Sequence, residues 1–292
     1  MMIAHARTLR SALDAYLRAR MLGAATEQQY SVAIKLFCDW HGGDLPLSLL
    51  TEELVANWLR WFYALPRSPE TVRRKRGAII TIWRHAADLQ WHREPVMRRI
   101  PCPKKLKRIP TSWTPEEMRA ILEACERATL PARSAWGPPH WVALTRTAYD
   151  TSHRLGALLK TPMHNLNWRT GELLVGAEST KQSADTLHRL SHATLDAIRK
   201  TGDLERPILF PWANEQRYIY ACFRRILKDA GLPAGRRDLF HKIRRSSYTE
   251  VCLKLGKEVA GKHAGHNSDM SEYYFDTSRV AGPKPIDVIP AI

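Results

Sequence analysis

The feature that most constrains the fold of this chain is a short basic stretch about one third of the way along it. Residues Arg98–Arg108 carry six positive charges, no negative charge and two prolines. Proline blocks the interior of a helix, and uncompensated charges repel one another, so this stretch predicts an extended connector between folded parts. We therefore expect a first domain over residues 1–97, a basic linker over 98–112, a second domain over 113–281 and a tail over 282–292.

The first domain is predicted to be helical. Apolar residues recur in it at steps of three and four, which is the spacing of a helix with one buried face. This spacing predicts three helices, Leu9–Met21, Thr26–His41 and Thr51–Tyr63. A fourth helix begins at Ser68, which can cap it, with Pro69 at the first helical position, where proline is favoured.

The first turns of this fourth helix are strongly basic. Four consecutive cationic side chains stand there, Arg73, Arg74, Lys75 and Arg76. A run of like charges is usually a solvated helix face, but repulsion among four cations also indicates contact with phosphates. The same two interpretations stay open for three linker residues, Lys104, Lys105 and Lys107.

The second domain is predicted to be mostly helical with a small β-ribbon. A capping box at Thr114–Glu117 begins a helical region that extends to about Tyr149. A strand is predicted at Leu173–Val175, followed by a polar hairpin around Lys181. Helices are expected again near Ala193 and over Asn214–Ala230 and Phe240–Leu255. The predicted fold class is therefore mainly α, of the α+β kind, with a small antiparallel ribbon.

The charge of the chain predicts an anionic partner. Among its 292 residues, 45 Lys and Arg stand against 29 Asp and Glu, a formal net charge of +16. The excess positive charges repel one another in the folded state, and an anionic partner would relieve this repulsion. We therefore expect nucleic acid as the partner, with an acidic membrane surface second. No apolar run approaches the roughly 20 residues of a membrane-spanning helix, and no secretion signal is evident. A soluble, cytoplasmic protein is expected.

The cysteines predict neither disulfides nor a metal site. They are odd in number, far apart and outside any CxxC pair: Cys38, Cys102, Cys125, Cys222 and Cys252. We expect all of them to be reduced, buried thiols. No cluster of Asp, Glu and His indicates a metal, and no glycine-rich phosphate loop is present, so no cofactor is expected.

An ordered set of polar residues in the second domain indicates its chemistry. The set comprises Arg154, Lys181 in the predicted ribbon, the HxxR pair His241 and Arg244, a Gly-His motif at His266, and the adjacent Tyr273 and Tyr274. Each motif is common in isolation. Their occurrence in this order within a strongly basic chain is specific.

This ordered set resembles the catalytic set of the tyrosine recombinases, the family of phage integrases and chromosome-dimer resolving enzymes. Residues from about Thr114 to Val280 fit that family's catalytic domain, and the helical first domain resembles its core-binding domain in character. The resemblance implies an enzyme that breaks and rejoins DNA through a covalent 3′-phosphotyrosine. It also implies double-stranded DNA as partner and a homotetramer on paired DNA sites, monomeric or dimeric off DNA and nucleoid-associated when acting.

The residue types suit this chemistry. Attack on a phosphodiester builds charge on its non-bridging oxygens, and a planar guanidinium matches two such oxygens, so Arg154 and Arg244 can clamp one phosphate. A phenol with a pKa near 10 is only about one-thousandth ionised at pH 7 and needs a base. The resemblance implies the other roles: Tyr274 as nucleophile, His241 as proton acceptor, Lys181 as proton donor to the leaving 5′ oxygen, and His266 as hydrogen-bond donor to the phosphate.

The chain departs from the family pattern at several positions. Ser152 stands where the family often has glycine, and Ala157 replaces a glutamate three residues after Arg154. Tyr273 is an alternative candidate for the nucleophile. We prefer Tyr274, because Phe275-Asp276 follows it, as in one branch of the family. Two further lysines in the region, Lys160 and Lys200, compete with Lys181.

Two other functions stay open. A type IB topoisomerase shares this catalytic set by resemblance but relaxes DNA as a monomer. The apolar, proline-bearing tail is able to dock on a neighbouring protomer, which favours recombination, although a frayed end is equally compatible with it. The third candidate is a DNA-binding architectural protein without catalysis, against which the intact polar set argues.

Overall fold

The structure, a computed structural model, describes residues 7–131, 136–179, 184–266 and 270–282. Lys181 and the tail after Gly282 lie outside these ranges. The chain divides into two compact units with the boundary between Arg108 and Ile109. This boundary falls within the stretch for which the sequence predicts a linker.

The described part of the first unit is a helical bundle. Its α-helices are α1 (Leu9–Ala19), α2 (Ala24–His41), α3 (Glu52–Ala64) and α4 (Pro69–Asp88). The Ser68 side chain caps α4 by accepting a hydrogen bond from the Thr71 backbone N–H at 3.2 Å. Helix α1 ends two residues earlier than predicted, and the Met21 side chain is fully exposed. The α4 helix packs on the other three, and Phe37, Trp58 and Trp83 are fully buried in the core.

The second unit is mostly helical with one small antiparallel sheet, which confirms the predicted fold class. Its helices are α5 (Pro115–Glu126), α6 (Pro138–Thr151), α7 (Leu155–Leu158), α8 (His192–Arg199), α9 (Gln216–Asp229), α10 (Phe240–Leu255), α11 (Lys257–His263) and α12 (Ser271–Tyr274). The strands β1 (Leu166–Asn167), β2 (Glu172–Val175) and β3 (Thr186–Arg189) lie in that order. In the sheet register, Leu173 is opposite His188 and Val175 is opposite Thr186.

Helix α10 lies in the middle of the second unit. It packs against α6, α11 and α12, and every side chain over residues 242–249 is buried. Several of these side chains are polar, so their hydrogen-bond partners must come from the protein. Ser246 illustrates this, because its hydroxyl accepts a hydrogen bond from the Trp113 backbone N–H at 2.6 Å. Arg244, the last residue of the HxxR motif, is therefore anchored in the core of the unit.

The cysteine prediction requires one correction. Cys38, Cys125, Cys222 and Cys252 are buried free thiols, as expected, but Cys102 is exposed. It lies between two prolines in the extended basic stretch, where no helix face or sheet can cover it. The Arg73 guanidinium approaches its Sγ to 3.2 Å.

No helix within the described ranges is both long enough and apolar enough to cross a membrane.

Candidate active site

A cleft in the second unit brings three of the predicted site residues together. Its volume is about 500 Å³, and Arg154, His241 and Arg244 line it together with Lys160, Ser179 and Tyr220. Three cationic side chains face this one space. The cleft is therefore suited to an anionic group of the size of a phosphate with its neighbouring sugars.

Arg154 is presented by a tight turn between α6 and α7. Ser152 ends α6 in the left-handed conformation, with φ +55°, and Arg154 directly precedes α7. A left-handed residue with a side chain costs about 1–2 kcal/mol, a cost that glycine at this position would avoid. The Ser152 hydroxyl donates to the Arg244 carbonyl oxygen at 3.1 Å, and such a bond offsets about 1 kcal/mol of that cost.

Arg244 connects the turn to the Gly-His segment. Its side chain is only 1% exposed, and its guanidinium donates to the Ser152 carbonyl oxygen and, at 2.7 Å, to the Ala264 carbonyl oxygen. Burial lowers the pKa of Arg244, while the neighbouring Tyr274 phenol opposes this change. A guanidinium stays charged at neutral pH, so a fixed cation lies at the base of the cleft.

Tyr274 lies among the other site residues. Its ring centroid is 4.5 Å from that of His266 and 5.5 Å from that of His241, and the guanidinium carbon of Arg244 is 5.0 Å from it. The Tyr274 side chain is 4% exposed, whereas that of Tyr273 is 40% exposed. The structure therefore brings Tyr274 together with both histidines and Arg244.

His241 is one helical turn before Arg244 on α10. His241 is an exposed residue that lines the cleft. Desolvation by the neighbouring protein atoms is the first cause that lowers its pKa to about 4, followed by the positive charges of Arg245, Arg244 and Arg154. An imidazole with a lowered pKa is neutral at pH 7. His241 is therefore able to accept a proton but is a weak base in this state, and an anion in the cleft would raise its pKa towards the value that suits a general base.

His266 is directed towards Tyr274 by the glycine that precedes it. Gly265 has φ +64°, and the His266 backbone N–H donates to the Gly261 carbonyl oxygen at 2.8 Å, so the chain reverses after α11. The His266 ring then stacks on Tyr248, with 5.2 Å between centroids. The Gly-His motif has a local structural reason, since the left-handed conformation favours glycine.

Asp276 holds the segment that follows Tyr274. Its carboxylate accepts from the Ser112 backbone N–H at 2.7 Å and from the Ser112 hydroxyl at 2.9 Å. Burial tends to raise the pKa of Asp276, but hydrogen bonds from Ser278 and Ser112 outweigh it and lower the pKa. The Asp276 backbone N–H donates to the Thr249 hydroxyl at 3.1 Å. These bonds restrain the chain two residues beyond Tyr274.

The sequence analysis missed a group of three histidines beside the cleft, two of them buried and one half-buried. The Nε2 atoms of His153 and His188 are 2.9 Å apart, and the ring centroids of His188 and His263 are 5.3 Å apart. Burial is the first cause that lowers the pKa of His153 to about 3, that of His188 to about 4 and that of His263. A lone histidine in sequence gives no signal of such a group. Within the described residues no cluster of His, Cys, Asp and Glu has a geometry that could hold a metal ion.

These buried histidines predict a stability that depends on pH. Their folded pKa values lie below the unfolded value of about 6.5, so the unfolded state binds more protons as the pH falls below 6.5. Between pH 7.5 and 5, we expect the free energy of unfolding to fall by about 2 kcal/mol for each of His153 and His188. Urea unfolding across this range measures the loss. His188→Leu should flatten the dependence, whereas the exposed control His192→Leu should not, and a pH-independent stability would contradict this expectation.

The predicted DNA-contacting residues of the first unit fall into three groups. Arg73 donates to the Pro103 carbonyl oxygen at 2.7 Å, and Arg76 donates to those of Pro101 and Ile100 at 2.9 and 3.0 Å. Both arginines therefore hold the basic stretch against α4. Arg74 and Lys75 instead line a separate cleft of about 410 Å³ between α2 and α4. Lys104, Lys105 and Lys107 are exposed.

Comparison with known proteins identifies a sequence family. The sequence model described as Phage integrase family matches residues 112–275, which is more than half of the chain. No curated protein sequence matches the chain at a significant level.

Solved structures share the fold of both units. A lambda integrase tetramer bound to a Holliday junction matches with a TM-score of 0.70 and 20% identity, covering 90% of this chain and 78% of that one. The Tn1549 transposon integrase with circular intermediate DNA matches with a TM-score of 0.68 and 13% identity, covering 96% and 97%. A post-cleavage complex of XerH site-specific recombinase with palindromic difH substrate gives 0.69 and 17%, covering 93% and 82%.

Proposed function

The chain belongs to the phage integrase family, whose members are DNA strand-transferring tyrosine recombinases, and from that premise we propose that it recombines double-stranded DNA at specific sites with Tyr274 as its nucleophile. The observation that carries this assignment is the packing of Tyr274 against Arg244, His241 and His266. The Tyr273 side chain, by contrast, is 40% exposed. The DNA-bound recombinases with the same fold support DNA as the partner.

The cleft is the proposed site of the scissile phosphate. Arg154 and Arg244 approach it from two different segments, the turn before α7 and helix α10, and both guanidinium groups stabilise charge that develops on the non-bridging oxygens. His266 would add a hydrogen bond from beside the Tyr274 ring. Preorganised donors of this kind act mainly on the transition state, because the oxygens gain charge only as the bond to tyrosine forms.

The proposed reaction exchanges one phosphodiester for another. The Tyr274 phenol loses its proton to His241, its oxygen bonds to the phosphorus, and the bond to the 5′ oxygen breaks. Lys181, which lies outside the described residues, is proposed to supply the proton that the 5′ oxygen takes up. A 5′ hydroxyl from another strand then reverses the steps and releases the tyrosine. The energy of the broken bond is retained in the phosphotyrosine, so no nucleotide hydrolysis is required.

Covalent trapping tests the proposed function even when the target DNA site is not known. Nicked duplexes with randomised sequence are incubated with the protein, and those attached after denaturation are recovered and sequenced. The nick lets a short fragment diffuse away, so the covalent complex accumulates. We expect a preferred sequence and a DNA-linked peptide that contains Tyr274. Absence of any covalent complex would favour the architectural alternative, and rapid relaxation of supercoiled DNA by the monomer would favour the topoisomerase.

The linker lysines are proposed to contact the phosphate backbone. Each phosphate that a protein neutralises adds about −0.9 to the slope of log K against log salt. Replacing Lys104, Lys105 and Lys107 together with alanine should therefore flatten the slope by about two to three units. Lys35→Ala is the control, since this exposed lysine on α2 lies outside the linker and pairs with Asp39 at 2.6 Å. An unchanged slope in the triple variant would show that the linker is only a tether.

A homotetramer on two paired DNA sites is the proposed active assembly. Support comes from the lambda integrase tetramer on a Holliday junction, which has the same fold. Once trapping has given the site sequence, native mass measurement of the protein on two duplexes gives the stoichiometry. Four protomers on two duplexes are expected, and complexes that never exceed one protomer on one duplex would contradict the proposal.

A further inference from the structure

Three hydrogen bonds and one edge-to-face ring contact form a continuous chain of contacts behind the Arg154 turn. The Nε2 atom of His153 is 2.9 Å from Nε2 of His188 and 2.8 Å from the Thr186 hydroxyl. The ring of His188 meets that of His263 edge-on at 5.3 Å, and Nε2 of His263 is 3.2 Å from the Ser247 hydroxyl. His153 and His188 are both 6% exposed, so the bond between them lies in the protein interior, whereas Thr186 and His263 are half-buried.

The chain of contacts joins segments that carry proposed catalytic residues. His153 is the neighbour of Arg154, and Ser247 lies one turn after Arg244 on α10. His263 ends α11, three residues before His266, and His188 belongs to β3. Nε2 of His153 and Nε2 of His188, 2.9 Å apart, share one proton. The ring that holds this proton donates the hydrogen bond, and the other ring accepts it.

The surroundings keep these rings neutral. The positive charges of Arg154 and Arg244 act on His153, that of Arg244 also acts on His188 and His263, and Asp150 is the acidic group that acts on His263. Two cations beside buried imidazoles oppose protonation. A neutral pair can keep its single shared proton, whereas two imidazolium rings would repel each other at this distance.

We propose that His188 is a positioning residue for Arg154, which it holds through the hydrogen bond to His153. The inference rests on the proposed function, since it gives Arg154 a phosphate to bind. The turn is fixed on one side by the bonds between Ser152 and Arg244. On the other side, His153 is fixed by Thr186 and His188, both on β3. Arg154 lies directly after the two clamped residues, so its guanidinium enters the cleft from a restrained backbone.

Stability alone does not account for this arrangement. A pair of buried imidazoles costs desolvation that two aliphatic side chains of similar volume would avoid. A satisfied polar network instead selects one relative placement of the segments that it joins. That is the property a catalytic arginine needs, because a misplacement of about 1 Å can cost about 100-fold in rate.

The experiment compares two substitutions at one position. His188→Leu retains the apolar volume and removes both nitrogens, whereas His188→Gln keeps an amide group with a similar reach to Nε2. The substrate is a nicked duplex, on which the covalent complex accumulates, and the full chain is in excess. We measure the single-turnover rate of covalent attachment and, separately, the DNA affinity. We expect His188→Leu to be slower by about 10- to 100-fold with affinity unchanged within about threefold. His188→Gln should recover most of the rate, and the exposed control His192→Leu should match the wild type.

Each result either supports or overturns the inference that His188 positions Arg154. A wild-type rate for His188→Leu would overturn the inference, and so would a His188→Gln variant that is folded but as slow as His188→Leu. If His188→Leu does not fold, Thr186→Val decides, because it removes only the hydroxyl bonded to His153. A slowing of about 3- to 10-fold is then expected for Thr186→Val, and a wild-type rate would overturn the inference. Failure of the wild type to form any covalent complex would instead overturn the proposed function.

Discussion

Replacing Tyr274 with phenylalanine is expected to abolish covalent attachment to DNA while leaving DNA affinity nearly unchanged. Only a residue with an ionisable oxygen can form the phosphotyrosine, and phenylalanine keeps the ring that packs on His266 and beside Arg244. Because the Tyr274 side chain is 4% exposed, its ring is a packing element as well. Phenylalanine preserves that packing, so the variant should unfold at nearly the same denaturant concentration as the wild type.

Tyr273→Phe is the matched control for this prediction. The two tyrosines are adjacent on α12, but Tyr273 is 40% exposed, so loss of its hydroxyl should leave trapping largely intact. Peptide mapping of the DNA-linked protein identifies the attached residue directly. A link at Tyr273 would overturn the residue assignment and keep the mechanism. A covalent link that persists in the double phenylalanine variant would exclude a tyrosine mechanism altogether.

Motifs whose geometry is local were predictable from the sequence. His241 and Arg244 are three residues apart on α10, and a helix places such residues on one face, so their common direction follows from spacing alone. The start of α5 was predictable for the same reason, since its capping box closes within four residues: Glu117 accepts from the Thr114 backbone N–H at 2.8 Å. The antiparallel ribbon followed from the strand character and turn residues around Leu173–Val175.

Contacts between distant segments were not predictable from one sequence. The helices α7, α11 and α12 are too short for a hydrophobic period to be measured, yet they carry or flank Arg154, His266 and Tyr274. The pairing of His153 with His188 joins residues 35 positions apart, and that of Ser112 with Asp276 joins residues 164 apart. Such pairs depend on how the elements pack, for which isolated polar residues give no signal. The role of Lys181 stays a prediction.

The two arginines of the cleft are expected to differ in what their removal does to the fold. Arg244 is 1% exposed and its guanidinium satisfies the carbonyl oxygens of Ser152 and Ala264. Arg244→Ala leaves both acceptors buried without those donors, at about 1–3 kcal/mol each, and opens a cavity. Arg154 is half-buried and lines the cleft, and among the described residues its side chain makes no hydrogen bond to a carbonyl oxygen of the core. Arg154→Ala should therefore change the free energy of unfolding by less than about 0.5 kcal/mol.

Both substitutions are nevertheless expected to slow covalent trapping strongly. Each removes a cation that stabilises charge on the non-bridging oxygens, a loss of about 100- to 1,000-fold in rate. DNA affinity should change far less, because many other phosphate contacts remain and the lost interaction strengthens mainly in the transition state.

Urea unfolding and single-turnover trapping, measured on the same preparations, separate the two effects. The charge-conserving variants Arg154→Lys and Arg244→Lys refine the comparison. Lysine keeps the positive charge but lacks the planar fork that reaches two carbonyl oxygens at once, so Arg244→Lys should recover little stability. Equal destabilisation by Arg154→Ala and Arg244→Ala would contradict this division of roles. A trapping rate near that of the wild type in Arg154→Ala would remove Arg154 from the phosphate site, and with it the reason for a clamped turn at residues 152–154.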